Sequence, residues 1–478
     1  MKKSSLVLAI LPLAALSGCL SRELAVNPKV DVPDSFAQAR EFAGADADEK
    51  AWWASFGDSA LPGLVETALE NNRSLKAAEA RLQGAREARK GAIAALFPSF
   101  FAAGETLNDY TLVNPQGRTQ GYLYGVGAKW DIDLFGMERS KARAATQLTY
   151  AEVERFRGAQ LTVASETAKA WLTLRNVRER RKVLEEAIAL QQRTLEVAEG
   201  RLPEGLSSTV DVDRARAKLA AAQALMPKLD MAEAKLASAL SVLTGKELAA
   251  LSLDSTADWN AVTVPQPPAL LPSTVLLRRP DVQAARRTVQ AQMHAVGAAK
   301  AAYWPQFSFS MLAGKEFLEF SPFLYAYTDH GVTNTRLTGD MTEASLSGTL
   351  PIFTFGKIRA AVKQQEARLD AVAALYENTI LTAVGDTEAA YAAYAGTGRR
   401  LASLAECVNA AAAASGKAHD LYEIGGLADL PDVLGAEVLL QEQKDALLQA
   451  SLEHALSAID LYDAFGGSPL SPAQGGGK

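Results

Sequence analysis

The side chains best suited to chemistry are sparse in this sequence and do not converge. The four histidines, His294, His330, His419 and His454, stand at no spacing that would bring two of them onto one metal ion. No glycine-rich phosphate loop and no Gly-x-Ser-x-Gly nucleophile elbow occurs. One residue does carry a defined chemistry. Cys19 ends the run Leu16-Ser17-Gly18-Cys19, after an apolar stretch from Leu6 to Leu16 that follows Lys2 and Lys3. A short basic start and an apolar core of about eleven residues make an export signal, too short to cross a membrane as a helix. Leu-x-Gly-Cys at its end matches the bacterial lipobox, where the chain is cleaved before the cysteine and the cysteine is lipidated. The expected signal peptide is therefore residues 1–18. The lipid on Cys19 is the only non-peptide group expected, with no other cofactor, no metal and no catalytic site.

Two clusters near helix boundaries combine glycine with hydroxyls or carboxylates. They are Gly205-Leu206-Ser207-Ser208-Thr209-Val210-Asp211-Val212 and Gly426-Leu427-Ala428-Asp429-Leu430-Pro431-Asp432-Val433. Ser208-x-x-Asp211 and Asp429-x-x-Asp432 have the spacing of a capping box, and capping alone accounts for both pairs.

These residues must be positioned by a chain of 478 residues, 48% hydrophobic and 22% charged. Its 2 Cys exclude a disulfide scaffold. Cys407, on an Ala-rich stretch, reads as a small buried hydrophobe. Lys+Arg 49 against Asp+Glu 55 gives −6, and −8 once Lys2 and Lys3 are removed, so no nucleic-acid partner is expected. After the signal no long uncharged apolar run remains, so any membrane span must be made of strands.

The sequence is internally duplicated. The stretch from Leu75 to Phe100 aligns with Val282 to Phe307 at an offset of 207. Phe135-Gly136 aligns with Phe355-Gly356 at 220, and Gly205, Asp211 and Gly245 align with Gly426, Asp432 and Gly466 at 221. A period of about 200 residues is a duplicated unit rather than a solenoid repeat. In each unit a helical stretch (Leu61–Leu96; Ser273–Ala302) is expected to end at an aromatic-Pro pair, at Pro98 and Pro305, because proline disfavours α geometry in the residue before it. Two strands follow, then a proline-free helix (Met137–Gly200; Lys357–Ile424), a break, and a shorter helix (Ser208–Thr244; Leu430–Phe465). Pro98, Pro305, Gly136 and Gly356 would turn the chain between helix and strand. A 64-residue helix spans roughly 95 Å, about twice the flanking ones, as in a tube wall where long helices lie beside stacked pairs of short ones. Apolar positions on two adjoining faces, Leu184, Ile188, Leu195 and Ala187, Leu190, Thr194, Val197, suit packing on both flanks; a plain two-helix coiled coil needs one seam.

The windows Phe97–Phe135 and Tyr303–Phe355 contain 92 residues and 19 of the 34 aromatics. In the first, Tyr122, Tyr124, Val126, Ala128, Trp130, Ile132 and Leu134 alternate with small or charged residues. In the second, Phe307, Phe309 and Met311 alternate with Ser308 and Ser310. Period-two patterning with a polar inner face and aromatic ends fits a transmembrane barrel, with Trp130, Tyr122, Phe307 and Phe309 facing lipid. Four strands cannot close a barrel, so the protein must oligomerise; two copies would give eight strands and three would give twelve, and a porous lumen needs the larger number.

Trp52-Trp53-Ala54-Ser55-Phe56-Gly57-Asp58, Trp130-Asp131-Ile132-Asp133-Leu134-Phe135-Gly136, Leu277-Arg278-Arg279-Pro280-Asp281-Val282 and Leu350-Pro351-Ile352-Phe353, with the lipobox, resemble the outer membrane efflux proteins. These are TolC-like ducts, and the likeness is to their lipoprotein (NodT-like) branch, which partners resistance-nodulation-division (RND) pumps. The resemblance implies a mainly α fold with a β-barrel part: a homotrimeric twelve-stranded outer-membrane β-barrel continuous with a periplasmic twelve-helix α-barrel. It implies a lipid-anchored belt segment over 19–58, a first repeat over 59–255, a Pro-rich linker over 256–272, a second repeat over 273–466 and a tail over 467–478. Leu20 after the cysteine favours the outer membrane in lipoproteins of this pattern. The implied function is passive conduction of drugs or other small molecules from an inner-membrane RND-type pump and a periplasmic adaptor. A type I protein secretion or ABC export duct is the alternative, and a lipid-anchored coiled-coil adaptor is the alternative of another class. By the resemblance, Gly205, Leu206, Ser207, Gly426, Leu427 and Ala428 are adaptor-contact tips, and Asp432, Asp429 and Tyr422 form the periplasmic gate.

Overall fold

A computed structural model describes residues 28–37, 39, 49–110, 118–253, 259–321, 335–423 and 429–467. The signal peptide, Cys19, Gly426, Leu427, Ala428 and the tail beyond residue 467 lie outside the described residues. Among the described residues the chain is mainly helical with one four-stranded sheet. The first repeat contains α1 (Leu61–Asn71), α2 (Arg73–Ala94), β1 (Ser99–Tyr110), β2 (Arg118–Ile132), α3 (Met137–Arg201), α4 (Thr209–Gln223) and α5 (Met226–Thr244). The second contains α6 (Pro272–Arg278), α7 (Pro280–Ala301), β3 (Gln306–Ser321), β4 (Thr335–Thr349), α8 (Lys357–Glu423) and α9 (Leu430–Ala464). None of the described helices is long and apolar enough to cross a membrane.

The helices expected to be continuous are interrupted at three places. The first stretch breaks between α1 and α2, where Asn72 leaves helical geometry at ψ 128 and its Oδ1 accepts from Ser74 N and Leu75 N, capping α2. Its counterpart breaks between Arg279 and Pro280, since proline has no N–H to continue the ladder. The helix after Ser208 breaks at Ala224–Leu225, with Pro227 in the first turn of α5; α9 has its only proline at its start and runs through.

The two repeats are held by equivalent bonds. Asn72 Nδ2 donates to Leu243 O at 2.8 Å, and Arg279 NH1 to Ala464 O at 3.2 Å. The helix that contains each acceptor is followed at its C-terminus by a glycine at positive φ, Gly245 at 65° and Gly466 at 84°.

The chain forms two compact units, and each draws on both repeats. One comprises residues 83–151 and 285–376 and contains the sheet, in the order β1-β2-β3-β4, antiparallel throughout. The other comprises residues 30–82, 152–284 and 377–478. Its main core gathers Trp52, Phe56, Leu61, Trp171, Tyr391, Ile459 and Leu461, with Trp52 stacked on Tyr462 at 5.5 Å. Two equivalent positions on the long helices tie the segments entering α1 and α6. Trp171 Nε1 donates to Asp58 Oδ2 at 2.9 Å, and Tyr391 OH donates to Pro268 O at 2.7 Å. Burial pushes the Tyr391 phenol up to about 12, so it stays a donor. Asp58 also accepts from Ala60 N at 2.8 Å and Leu61 N at 3.0 Å, and pairs with Arg175.

Cys407 is exposed, contrary to the buried position expected of it, and its thiol faces Gln443. The Ala-rich helix there presents small residues to solvent as well as to its neighbours.

Candidate functional site

In the sheet the register sorts side chains onto two faces. Trp130 stands opposite Phe309, which stands opposite Leu346; Tyr122 stands opposite Phe317, with their rings stacked at 4.7 Å. Phe100, Val126, Met311 and Phe307 share that face. The other face carries Lys129, Asp131, Ser308, Ser310, Ser345 and Ser347, with Ser308 and Ser347 hydroxyls 2.7 Å apart. The apolar side chains here find no protein cover: Phe100 is 82% and Leu346 69% exposed. Near the far end the face turns ionic, with Lys315 and Asp340 paired at 3.0 Å. Among the described residues β1 and β4 each have a neighbour on one side only.

The corners form as their residues dictate. Gly136 (φ 80°) and Gly356 (φ 83°) offer the carbonyls that accept the first helical bonds, from Ser140 N and Ala360 N. These left-handed conformations are open to glycine without steric penalty. Asp133 caps α3 by accepting from Arg139 N at 2.8 Å. Pro98 and Pro305 stand directly before β1 and β3.

At the helical tip α3 ends in a Schellman motif. Leu206 N donates to Arg201 O and Gly205 N to Leu202 O, both at 3.1 Å, with Gly205 at φ 72°. The turn leaves Leu206 70% exposed and Ser207 half-buried. Ser208 and Asp211 complete a reciprocal capping box. The Ser208 bonds hold the Asp211 carboxyl below the usual carboxylate range. Asp429 is the N-cap of α9 but makes no side-chain cap bond, so the second pair is not a capping box. Ser208 Oγ accepts from Asp211 N and donates to the Asp211 carboxylate at 2.7 Å, whereas the Asp429 carboxylate makes no such bond at the start of α9. Asp429 and Asp432 are both exposed, and Asp432 N bonds to the Asp429 carbonyl.

Tyr422 does not stand with those carboxylates at the surface. Its ring is buried in a small core with Ala198, Val212, Ala215, Leu430, Val433 and Leu434. The Arg201 guanidinium covers the ring, 4.3 Å from its centroid. One turn further into α9, Glu437 is buried and accepts from Thr194 Oγ1 at 2.7 Å. Burial raises the Glu437 carboxyl, against the opposing influence of Thr194 and His419. Arg201 and Glu437 were not singled out from the sequence. Their only signals are a basic residue ending a long helix and a lone acid at an apolar phase of α9. Asp58 was visible within its motif, but nothing there announced Arg175 as partner. Among the described residues no cluster of metal-ligating side chains occurs.

Long helices feeding a small antiparallel sheet with one apolar face and two open edges define a subunit of an outer-membrane duct. The solved structures agree. The outer-membrane channel OprN matches with a TM-score of 0.81 and 27% identity, over 93% of this chain and 99% of that one. The open state of the Neisseria gonorrhoeae MtrE outer membrane channel matches with 0.79 and 26%, over 92% and 96%. Among curated proteins, the probable efflux pump outer membrane protein TtgC of Pseudomonas putida is 28% identical over 98% of this chain and 96% of its own length. The pyoverdine export outer membrane protein OpmQ of Pseudomonas aeruginosa is 26% identical over 99% and 98%. The sequence profile of the outer membrane efflux proteins matches residues 64–246 and 271–467, and the chain belongs to that family. It acts as an exit channel of the outer membrane for efflux.

Proposed function

We propose that three copies of this chain close a twelve-stranded barrel in the outer membrane and a twelve-helix barrel in the periplasm. Through them, drugs or other small molecules pass from an RND-type pump and a periplasmic adaptor. The observation that carries this reading is the sheet. Among the described residues both of its edges lack partners, and an open edge is a template for another chain. One face is apolar from Trp130 to Val126, carries the Lys315–Asp340 pair at the level of Tyr124, and has aromatic levels at Trp130 and Tyr122, eight residues or about 26 Å apart along the strand. With the usual tilt that separation approaches the roughly 25 Å apolar band of a membrane barrel. On α3, Leu184 and Thr194 are buried within the chain while Ala187, Ile188, Leu190 and Leu195 stay partly open, which leaves a second flank for a neighbouring copy.

Cys19 carries the lipid anchor, residues 19–58 and 256–272 form the belt, and Leu206 and Ser207, with their counterparts Leu427 and Ala428, meet the adaptor. Asp429 and Asp432 face the closed aperture, where three copies would make an acidic ring. Tyr422 supports that tip from behind. The relatives named above export different cargoes, so the cargo is sought by experiment. Deletion of the gene should raise accumulation of several compounds from a drug panel, and a paired pump deletion should add nothing further. Unchanged accumulation of every compound would count against drug efflux. For the gate, Asp432→Ala should lower cation preference in planar bilayers, and unchanged selectivity removes Asp432 from it.

A further inference from the structure

The seam between α3 and α9 behind the tip buries two oxygens that find no hydrogen-bond partner among the described residues, Glu437 Oε2 and Gln191 Oε1. The two residues are only 4% and 2% exposed, and both line one cavity of about 190 Å³ with Leu190, Leu440 and Gln441. Gln191 Nε2 is spent on Gln441 Oε1 at 3.4 Å. A carboxylate and an amide directed this way bring two acceptors and no donor to the cavity, and burying acceptors without a donor is costly. The other carboxyl oxygen is occupied: Thr194 Oγ1 donates to Glu437 Oε1 at 2.7 Å, and His419 Nδ1 stands 4.0 Å from it. The duplicated plan does not require this acid. At the offset of 221, position 437 corresponds to Arg216, whose side chain is 60% exposed and pairs with Glu199. Gln441 corresponds to Ala220.

We infer that Glu437 Oε2 is a proton-binding site whose state is relayed by the amides of Gln191 and Gln441. With the proton bound, Oε2 donates to Gln191 Oε1 and Gln191 Nε2 donates to Gln441 Oε1, the direction in which the amide pair runs here. When the proton leaves to water, both amides turn over. Gln441 Nε2 then donates to Gln191 Oε1, and Gln191 Nε2 donates to the carboxylate. The cavity also reaches Lys444 and Glu186, a pair at 3.5 Å whose side chains are 39% and 69% exposed, so the proton has a way to solvent. The groups around the carboxyl are thus Gln191, Thr194 and Glu186 on α3, His419 on α8, and Gln441 and Lys444 on α9. Burial holds the carboxyl above its usual range, against Thr194 and His419. Acid removes a buried charge from the seam and so tightens the helices behind the tip. The site lies within one chain and needs neither the trimer nor any cargo.

The test uses the full-length protein, purified in detergent, and infrared spectra taken across the acid to neutral range. The difference between wild type and Glu437→Gln should contain one protonated-carboxyl band in acid. That band should disappear with a single midpoint above the ordinary glutamate value of about 4.3. Gln191→Met removes a bond to the proton and a stronger one to the carboxylate, so the midpoint should rise by roughly one pH unit. Gln441→Met removes one neutral bond from each state and should move the midpoint less than half as far. Amide exchange at residues 187–194 and 437–444 of the wild type should slow in acid with the same midpoint. Absence of the band at every pH, the mark of a hydrated carboxylate, overturns the proton site. An unmoved midpoint in Gln191→Met overturns Gln191 as its partner. Equal shifts in Gln191→Met and Gln441→Met overturn the relay, and exchange that ignores the midpoint overturns the tightening of the seam.

Discussion

Arg201 lies over the ring of Tyr422 and donates to its carbonyl at 3.0 Å, so one side chain joins the tip ends of α3 and α8. The stacking is worth about 1 kcal/mol and the charged hydrogen bond somewhat more. Arg201→Ala should therefore speed amide exchange around residues 195–212 and 415–423 by roughly ten-fold or more, without changing exchange in the sheet. Arg201→Lys should recover less than half of the loss, because an ammonium lacks the flat face that covers the ring. Equal exchange in wild type and Arg201→Ala would sink this role.

The two tips differ in how their second helices begin, and substitutions should reveal it. Ser208→Ala removes a hydroxyl that both accepts from Asp211 N and donates to its carboxylate, and should destabilise the start of α4 by about 1 kcal/mol. Asp429→Ala removes no side-chain cap bond and should change the start of α9 by less than half of that. Local exchange at residues 209–213 and 430–434 is the measurement. An equal effect at both sites would mean that Asp429 does cap α9.

Asp58 and Arg175 form a pair whose side chains are 1% and 4% exposed, beneath the start of α1. Burial alone would raise the carboxyl, but donation from Trp171 and Ala60, the Arg175 charge and the Leu61 amide together hold it below the ordinary value. A depressed native value gives stability that is present above the unfolded value, about 3.9, and lost as pH falls through the native one. Asp58→Ala deprives Arg175 of its carboxylate in a buried site and should cost about 3–5 kcal/mol. Thermal unfolding from pH 7 to pH 3 should show an acid loss in the wild type that is smaller in Asp58→Ala.

Glu437 works in the opposite sense. Its carboxyl is raised by burial, so its contribution is present below the unfolded value, about 4.3, and lost as pH rises through the native one. The groups around it are His419 on α8 at 4.0 Å, Thr194 and Gln191 on α3, and, further along the same cavity, Gln441 and Lys444 on α9 and Glu186 on α3, which pairs with Lys444 at 3.5 Å. Near neutral pH the buried carboxylate weighs against the folded tip. Glu437→Gln keeps an oxygen for Thr194 and should leave the tip as stable or about 1 kcal/mol more stable at pH 7. It should also flatten the tip's pH dependence above about pH 4.3, the unfolded value, read by exchange at residues 430–440. A steeper dependence in the variant would exclude Glu437 as its source.

The fold was legible wherever a period or a duplication repeated itself. Strand faces, the long helices and the glycine and proline corners follow from alternation, helix propensity and fixed φ, all properties of a residue and its near neighbours. The break at Asn72 was not legible, because asparagine there caps the next helix while its amide reaches Leu243, 171 residues away. The burial of Tyr422 and the pairings of Arg201, Glu437 and Arg175 depend equally on which distant helices meet. The Asp429–Asp432 spacing was legible but misleading, since spacing does not say whether the first side chain turns back onto the helix amides.

Three glycines at positive φ separate backbone strain from crowding. A Cβ on Gly205 would meet nothing within 4 Å, so Gly205→Ala incurs only the left-handed penalty of about 1–2 kcal/mol. On Gly245 the Cβ would lie 2.6 Å from Asn71 O, and on Gly466 2.7 Å from the Cα of Arg279. Both contacts are with backbone at the break between the first two helices of a repeat, and backbone cannot rotate aside as a side chain can. Gly245→Ala and Gly466→Ala should therefore each lose clearly more than Gly205→Ala, by about 1–3 kcal/mol further, with lower unfolding temperatures and less protein in the outer membrane. Because the two sites are counterparts, their losses should be similar. If all three variants lose the same amount, the close approach at Gly245 and Gly466 adds nothing to the left-handed strain, and these glycines serve only as helix caps.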